Sequence, residues 1–500
     1  MRTNSPSHRV TARGIQGVAL LSALLGALLT APLARAGVQQ KSLDHAAPGP
    51  VGIAVGPDGV VHVSWQSRDG HQLHYTRIER GKKVDQAVDS AVGWCGFQSS
   101  IALDSAGLPH IAYYADRGTD QVLAYAHFDG VAWHTEDLGP GGGGPAIAID
   151  ANDEPHIVHA IERMVGVSTW VSPLEYVHRD DSGWQHERPA GIAADPRVPL
   201  SLVLDPEGHV HVAMQSFPDY LPVYATDASG DWVATTLGDN NTIVGSLVLD
   251  SLGHPHVALA LASAGTIRHS HFDGSQWLTD DLFGPSDLPP GTSNMPQSAA
   301  LVLDAHDRPA VLFKTQIYVE RFAEWFDFLA YAYHDGVEWR GLLVSHRASD
   351  DWVRLGTDAN GASYGAYGRR RGSDSAVVTQ LRVPLPDLTG DWASLATSQR
   401  GAVSRVDAVL DVRNEGTGNS RSAPIALYLS SDAVLDPGDT PLAVHKGTGA
   451  VATGRTKSIR ISFTRPGSVA GFYLIAVLDP KGRLDDLDRP NNTIVGLLGD

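Results

Sequence analysis

Cysteine is almost absent: the 500 residues contain one, Cys95. A lone thiol excludes an intramolecular disulfide framework and any thiolate-rich zinc site. Basic charge is scarce as well, with 38 Lys and Arg against 56 Asp and Glu and a net charge of −18. Binding to a phosphate backbone needs clustered cations that release counterions, so nucleic acid is excluded as a partner. Neutral sugars and cationic partners are not. Beyond the first 30 residues no apolar run is long enough to span a membrane. Apolar spacing of the helical kind is missing over any useful length.

The chain instead contains 52 Gly, 30 Pro, 11 Trp and 14 Tyr, with 42% hydrophobic and 19% charged residues. That is the profile of a folded protein. Its length exceeds what one core needs, so two domains or one large repetitive domain are expected.

The N-terminus reads as an address. Arg2, Arg9 and Arg13 precede the small and apolar run Gly17 to Thr30, and Ala34-Arg35-Ala36 offers small residues where a signal peptidase reads. Residues 1–36 are read as a cleaved signal peptide, because a run of about 14 residues is short for an anchor across about 30 Å of hydrocarbon. The expected localisation is secreted: extracellular, periplasmic or at the cell surface. Removal of this segment takes away four Arg and no acid, leaving the rest more acidic still.

Residues 37–383 are a repeat. One phrase recurs as Ile101–Tyr114, Ile147–Ala160, Leu202–Gln215, Leu247–Ala260 and Leu301–Lys314, with a first copy at Ile53–Trp65 and a worn last one at Leu355–Tyr367. A second phrase lies between them: Leu123–Leu138, Leu174–Glu187, Val223–Leu237, Ile267–Leu282 and Leu329–Leu343. Both alternate as strands do and are broken by Asp-Gly, Ser-Gly or D-x-x-G turns. Each unit is thus four short strands, a to d. Four-strand units at this period are the signature of a β-propeller, and the anchor positions 56, 104, 150, 205, 250, 304 and 358 predict seven blades. The last unit lacks strand d. Val38–Leu43 resembles the d strands and is expected to pair there and close the ring, removing two open edges.

In such a ring the a–b and c–d turns share one face, and the b–c and d–a loops the other. The extra chain falls in d–a loops (Gly139–Gly144, Glu187–Pro199, Phe283–Gln297) and b–c loops (Ile161–Pro173, Phe217–Pro222, Thr315–Phe328). That face, with its central funnel, is the candidate binding surface. Residues there that break the repeat are the candidate ligand contacts: Trp94, Glu162, Arg163, Trp170, Tyr220, Glu320, Arg321, Glu324, Trp325 and Asp327, with Asp219 beside them. Aromatic faces next to carboxylates and Arg suit sugar rings and their hydroxyls; the plainer alternative is that these aromatics pack the loops onto the blades. Arg369, Arg370 and Arg371 are placed in the b–c loop of the last blade, as a solvated turn or an anion contact.

The repeated His62, His110, His156, His211 and His256 are read as a structural hydrogen bond per blade. A ring spreads them too far apart to share one ion. Asp104, Asp150, Asp205, Asp250 and Asp304 are read as turn-fixing carboxylates, and Trp133, Trp184, Trp232, Trp277 and Trp339 as blade-to-blade packing.

These repeats loosely resemble those of sialidase-type, Asp-box propellers. Ser270-His-Phe-Asp273-Gly274-Ser-Gln-Trp277 carries the likeness, with its Asp one place later than in the Asp-box, abutting the Gly. A sialidase also requires an Arg triad. Arg197-Val198-Pro199 matches its opening tripeptide but precedes the fourth unit, so sialidase activity is not expected. No G-x-S-x-G, H-E-x-x-H or phosphate loop is present, and no catalytic residue is assigned.

Val383-Pro384-Leu385-Pro386 reads as a stiff linker, placing a linker at 384–386 and a second domain at 387–500. Strands are expected at Ala402–Asn414, Ser422–Ser430, Thr456–Phe463 and Gly471–Asp479, which suits an immunoglobulin-like β-sandwich. Pro386-Asp387-Leu388, Asn414-Glu415-Gly416, Leu427-Tyr428-Leu429-Ser430, Asp436-Pro-Gly438-Asp439, Gly471-Phe-Tyr473-Leu474 and Asn491-Asn492 resemble the bacterial CARDB (cell-adhesion-related) domain. Asp485, Asp486 and Asp488 stand before the closing Asn pair. The resemblance implies an immunoglobulin-like fold in a secreted or surface protein. Asp432, Asp436 and Asp439 are weak Ca²⁺ candidates, with turn formation favoured; no other cofactor is expected.

The fold class expected is therefore all-β: a seven-bladed β-propeller followed by an immunoglobulin-like β-sandwich. The function expected is that of a secreted bacterial binding or adhesion protein whose propeller face recognises a glycan or cell-surface polymer. The alternatives are a carbohydrate-active enzyme (glycoside hydrolase or lyase) with carboxylates such as Glu320, Glu324 and Asp327 in the funnel, or a scaffold for an extracellular protein.

Overall fold

The computed structural model describes residues 41–43, 51–161, 163–165, 169–334, 336, 339–345, 348–359, 361, 363–370, 376–383, 386–416, 418–442, 446–482, 484, 486 and 489–499. The signal-peptide and cleavage readings, Glu162, Arg371, residues 384–385, Asp485 and Asp488 lie outside these. No helix among the described residues is long and apolar enough to cross a membrane.

Seven four-stranded antiparallel sheets follow one another along the chain. Blade 1 is Gly52–Val55, Val61–Gln66, Gln72–Glu79 and Lys82–Ser90. Blade 2 is Cys95–Leu103, Pro109–Asp116, Gln121–Phe128 and Trp133–Pro140. Blade 3 is Gly143–Ile149, Pro155–Ala160, Leu174–Asp180 and Gly183–Glu187. Blade 4 is Ser201–Leu204, Val210–Gln215, Pro222–Thr226 and Val233–Thr236. Blade 5 is Thr242–Leu249, Pro255–Leu261, Thr266–Phe272 and Trp277–Phe283. Blade 6 is Thr292–Leu303, Pro309–Val319, Glu324–His334 and Trp339–Ser345. Blade 7 takes Ala348–Thr357, Ser363–Arg370 and Ala376–Val383 from its own unit. Its fourth strand is Lys41–Leu43, antiparallel to Val378–Gln380. Strand a of each blade lies against strand a of the next, blade 7 against blade 1 included. Of the stretch Val38–Leu43 expected to close the ring, Lys41–Leu43 is described and pairs there, and residues 38–40 lie outside the described residues.

The repeated Asp explains the a–b turns. Asp104 Oδ1 accepts the N–H groups of Ala106 and Leu108; Asp150, Asp250 and Asp304 do the same in their blades. The fourth turn residue bonds back to the carbonyl of the first and sits at positive φ, which is why Gly recurs there. In blades 3 and 6 it is Asp153 and Asp307, and each uses its carboxylate to hold Ser105 or Ser251 of the preceding blade.

The core is not one mass but seven slabs, one in each seam between neighbouring blades. In blades 2 to 6 a Trp at the start of strand d pins the seam to the preceding blade. Trp133, Trp184 and Trp232 pack edge-on against Tyr75, Tyr125 and Tyr176 of the preceding blade. Their indole N–H groups donate to Gln86, Glu136 and Glu187 there. Those same tyrosines bond the repeated histidines: Tyr75, Tyr125, Tyr176 and Tyr224 hydroxyls lie 2.5–2.8 Å from Nδ1 of His62, His110, His156 and His211. In blades 2 to 4, Nε2 faces the turn carboxylate at 3.4–3.7 Å. The histidines are structural and neutral: burial pushes His62 down to about 4 and lowers His110, His156 and His211.

Two of the expected loops are built differently. Thr315–Phe328 is the continuation of strands b and c of blade 6 into a hairpin of two 11-residue strands, paired from Ala310↔Tyr333 out to Val319↔Glu324. Alternating Phe, Ile and Val carry the sheet past the blade. Ile161–Pro173 contains a two-stranded hairpin, Arg163–Val165 with Thr169–Val171. Arg369 and Arg370 belong to strand b of blade 7, not to its b–c loop, because they still pair with Val377 and Ala376.

From Leu388 on, two sheets enclose a separate core. One is Leu388–Arg400, Val403–Asn414 and Thr456–Pro466; the other is built on Pro424–Ser430, Tyr473–Leu478 and Thr493–Leu497, flanked by two short bridges. Leu388–Arg400 escapes a pattern reading because it is an edge strand whose side chains are mostly exposed.

Two outcomes follow. Trp184→Ala empties the blade 2–3 seam and should lower stability by about 3–5 kcal/mol, read from denaturant midpoints, with Trp184→Phe losing less. The unfolded chain takes up protons on its imidazoles as pH falls below about 6.5, whereas buried His62 stays neutral until about 4 and burial lowers His110, His156 and His211 in the same direction. Stability should therefore drop between pH 6.5 and 4, and thermal midpoints across that window check it.

Candidate functional site

The face carrying the b–c and d–a connections has a groove of about 370 Å³ over blades 2 and 3. It begins with a distortion. Strand a of blade 2 is bulged between Cys95 and Phe97 and again between Phe97 and Ser100. Such bulges re-aim side chains, and here Trp94, Phe97 and Gln98 line the groove. Gln98 takes a left-handed backbone, φ 53°. Its side chain is buried and its amide is fully used: Oε1 accepts the N–H of Gly144 at 2.7 Å, and Nε2 donates to the carbonyl of Arg197 at 2.8 Å. One side chain thus ties blade 2 to blade 3 and to the loop before blade 4.

That loop packs so closely that a Cβ on Gly143 would meet the Pro196 carbonyl oxygen at 2.1 Å, and one on Gly144 the Val198 oxygen at 2.5 Å. Asp195, itself buried, grips the Arg197 guanidinium through both oxygens at 2.8 Å. The guanidinium lies over the Tyr220 ring, 5.3 Å from its centre. The opposite wall is Tyr114, Asp116 and Gln121 from strands b and c of blade 2. Trp94 stands at the rim, 58% exposed and edge-on to Phe97. An exposed indole, a fixed Arg–Tyr pair and one carboxylate wall are groups that can stack on and hydrogen-bond a polyhydroxylated ring.

Of the residues singled out in the sequence, Trp94 lines this groove and Tyr220 reaches it through Arg197. Arg163 and Trp170 lie in the small blade 3 hairpin, opposite Val171 and Met164. Glu320, Arg321, Glu324, Trp325 and Asp327 lie in the blade 6 hairpin, and no described contact joins them to the groove. Trp325 packs on Tyr318 at 5.2 Å. Asp327 is engaged by Gln316 at 3.0 Å and by the buried Lys314 at 3.5 Å. Phe97, Gln98, Tyr114, Asp116 and Gln121 carried no signal in the sequence: Tyr114 ends a repeated phrase as an ordinary strand residue, and the others lie just outside the phrases.

Two further groups are structural. Glu175, buried in blade 3, takes hydrogen bonds from His159 at 2.9 Å and Arg188 at 2.9 Å. Burial pushes its pKa up, but these partners outweigh it and hold it at about 2. The Cys95 thiol is fully buried and pushed up to about 12 by that burial, so it is no nucleophile. In the sandwich, Asp432, Asp436 and Asp439 accept backbone N–H groups from Val434, Gly438 and Asp436 in turn, as turn carboxylates do.

Gln98→Leu keeps the volume but strands the Gly144 N–H and the Arg197 carbonyl. It should lower stability by about 2–3 kcal/mol and loosen residues 195–198, which amide hydrogen exchange would register.

No curated protein matches the chain. Among solved structures it is similar to a polysaccharide lyase family 25 ulvan lyase (13% identity, 69% of this chain and 96% of that one, TM-score 0.44). It is also similar to the polysaccharide lyase Uly1 (12%, 68% and 90%, 0.40) and to a fungal alcohol oxidase of the AA5 family in complex with copper (10%, 92% and 99%, 0.39). Likeness at this level carries no statement about chemistry, and the propeller rests on its own sheets. The CARDB family model matches residues 385–495. The sandwich after the seven blades is a CARDB domain.

Proposed function

We propose that this is an exported binding protein whose propeller holds a glycan or other cell-surface polymer in the Trp94–Arg197 groove, with the CARDB domain as spacer or adhesion module. The observation that supports it most is the exposed Trp94 beside a backbone held in shape by Gln98 and Asp195. Rigid support of an exposed aromatic is what a binding platform needs, since little ordering remains to oppose association. Export rests on the basic and apolar N-terminal stretch.

Trp94→Ala should weaken binding to the responsive polysaccharide at least tenfold, about 1.4 kcal/mol, with an unchanged thermal midpoint. A panel of glycans, read by affinity electrophoresis, checks it. A panel with no response, together with capture of an extracellular protein lost in the same variant, would favour the scaffold reading.

The second reading, polysaccharide cleavage, draws on Glu320 and Glu324, which flank the exposed turn of the blade 6 hairpin. Turnover lost in Glu320→Gln or Glu324→Gln would establish it.

A further inference from the structure

Blade 5 departs from the repeat at a cross-strand pair, His269 and Asp280. Strand c carries His269 where blades 1 to 4 carry Tyr75, Tyr125, Tyr176 and Tyr224. The register dictates what surrounds it. His271 lies two residues along the strand and so shares its face. Asp280 is its direct partner on strand d. The position of Asp280 is that of Gln86, Glu136 and Glu187, which elsewhere accept the next blade's Trp. Here the carboxylate is shorter than Glu and turns to His269, while Trp339 packs edge-on against the His269 ring at 5.6 Å.

His269, His271 and Asp280 can each present one ligand atom, and these atoms lie within 4.8 Å of one another. His269 Nε2 is taken by His256 Nδ1 at 3.0 Å, and His256 Nε2 faces Asp250 at 3.8 Å. That leaves His269 Nδ1 turned to Asp280 Oδ2 at 3.4 Å. The separation is long for a hydrogen bond. It is close to the edge, roughly 3.3 Å, of a tetrahedron whose metal–ligand bonds are about 2.0–2.1 Å. His271 Nδ1 is buried without a partner, as are the equivalent atoms of His127 and His178. That vacancy belongs to the repeat; blade 5 adds the second imidazole and the carboxylate. Asp280 is 46% exposed, so an ion has a way in.

We propose that His269, His271 and Asp280 bind one divalent cation of the zinc class in the seam between blades 5 and 6, leaving a fourth position for water. Two imidazoles and a carboxylate are a borderline-soft set that suits Zn²⁺ and does not suit Ca²⁺ or Mg²⁺. His256 and Asp250 continue the chain behind His269 as the outer partners that orient a ligating imidazole. A second His–carboxylate cluster among the described residues, Asp205, Glu207 and His209, is different: His209 Nδ1 is already held by Asp205 at 2.8 Å within one turn.

The test is Zn²⁺ titration of the full chain after chelator treatment, by calorimetry and thermal midpoint. Wild type should take up Zn²⁺ and gain in midpoint. His269→Tyr, which restores the residue of blades 1 to 4, should lose one equivalent while keeping its midpoint in chelator. Asp280→Asn should bind at least tenfold more weakly, and His256→Gln roughly ten- to a hundredfold. Glu207→Gln should bind as wild type. If His269→Tyr proves unstable, the exposed Asp280→Asn carries the test. No uptake by wild type, or uptake unchanged in both His269→Tyr and Asp280→Asn, overturns the proposal.

Discussion

The seam between adjacent blades is the unit on which the propeller depends. A blade alone is a thin sheet with no interior, and its apolar side chains become buried only when the next blade arrives. Trp133, Trp184 and Trp232 show how that arrival is made specific. Each ring covers a Tyr of the blade before it, and each indole N–H finds a Gln or Glu there. The Tyr in turn is tied to a buried neutral His, and in blades 2 and 3 that His faces its turn Asp. Packing and hydrogen bonding thus meet at one place per blade. At the closing seam Tyr364 and Ala366 of blade 7 pack with Val61 and Val63 of blade 1, and Lys41–Leu43 completes blade 7 as its outer strand.

Against that regular frame the departures stand out, and they are chemical. The bulges after Cys95 turn Trp94, Phe97 and Gln98 toward the loop face. The Tyr-to-His exchange at His269, with Asp280 paired to it, converts a packing contact into a cluster of imidazoles beside a carboxylate. Both are local breaks in a pattern whose other copies show what the unbroken form does. The repeat therefore serves as an internal control: a residue that differs from its counterparts, in a seam that still packs, has been freed from the common structural task.

Much of the frame was legible in the sequence. D-x-x-G turns, the paired phrases and the seven anchors follow from local rules of strand alternation and turn chemistry, and the structural roles of His110, Asp104 and Trp184 follow from their recurrence. The groove was legible only at Trp94 and Tyr220, which interrupt the repeat. Gln98 gave no signal, because its role depends on Gly144 and Arg197, far away in the chain. The blade 6 hairpin was read as a loop, since periodicity cannot tell a long strand pair from apolar residues that anchor a loop.

What the sequence alone determined was the β class, the number of units, the strand that closes them and the CARDB-like end, all set by short-range patterns repeated often enough to be counted. What only the tertiary structure decided was which loops meet. Arg197 comes to rest on Tyr220 and Gln98 because the packing of successive blades brings separate segments within a few ångströms. That proximity is a property of neighbouring blades together and not of any one repeat.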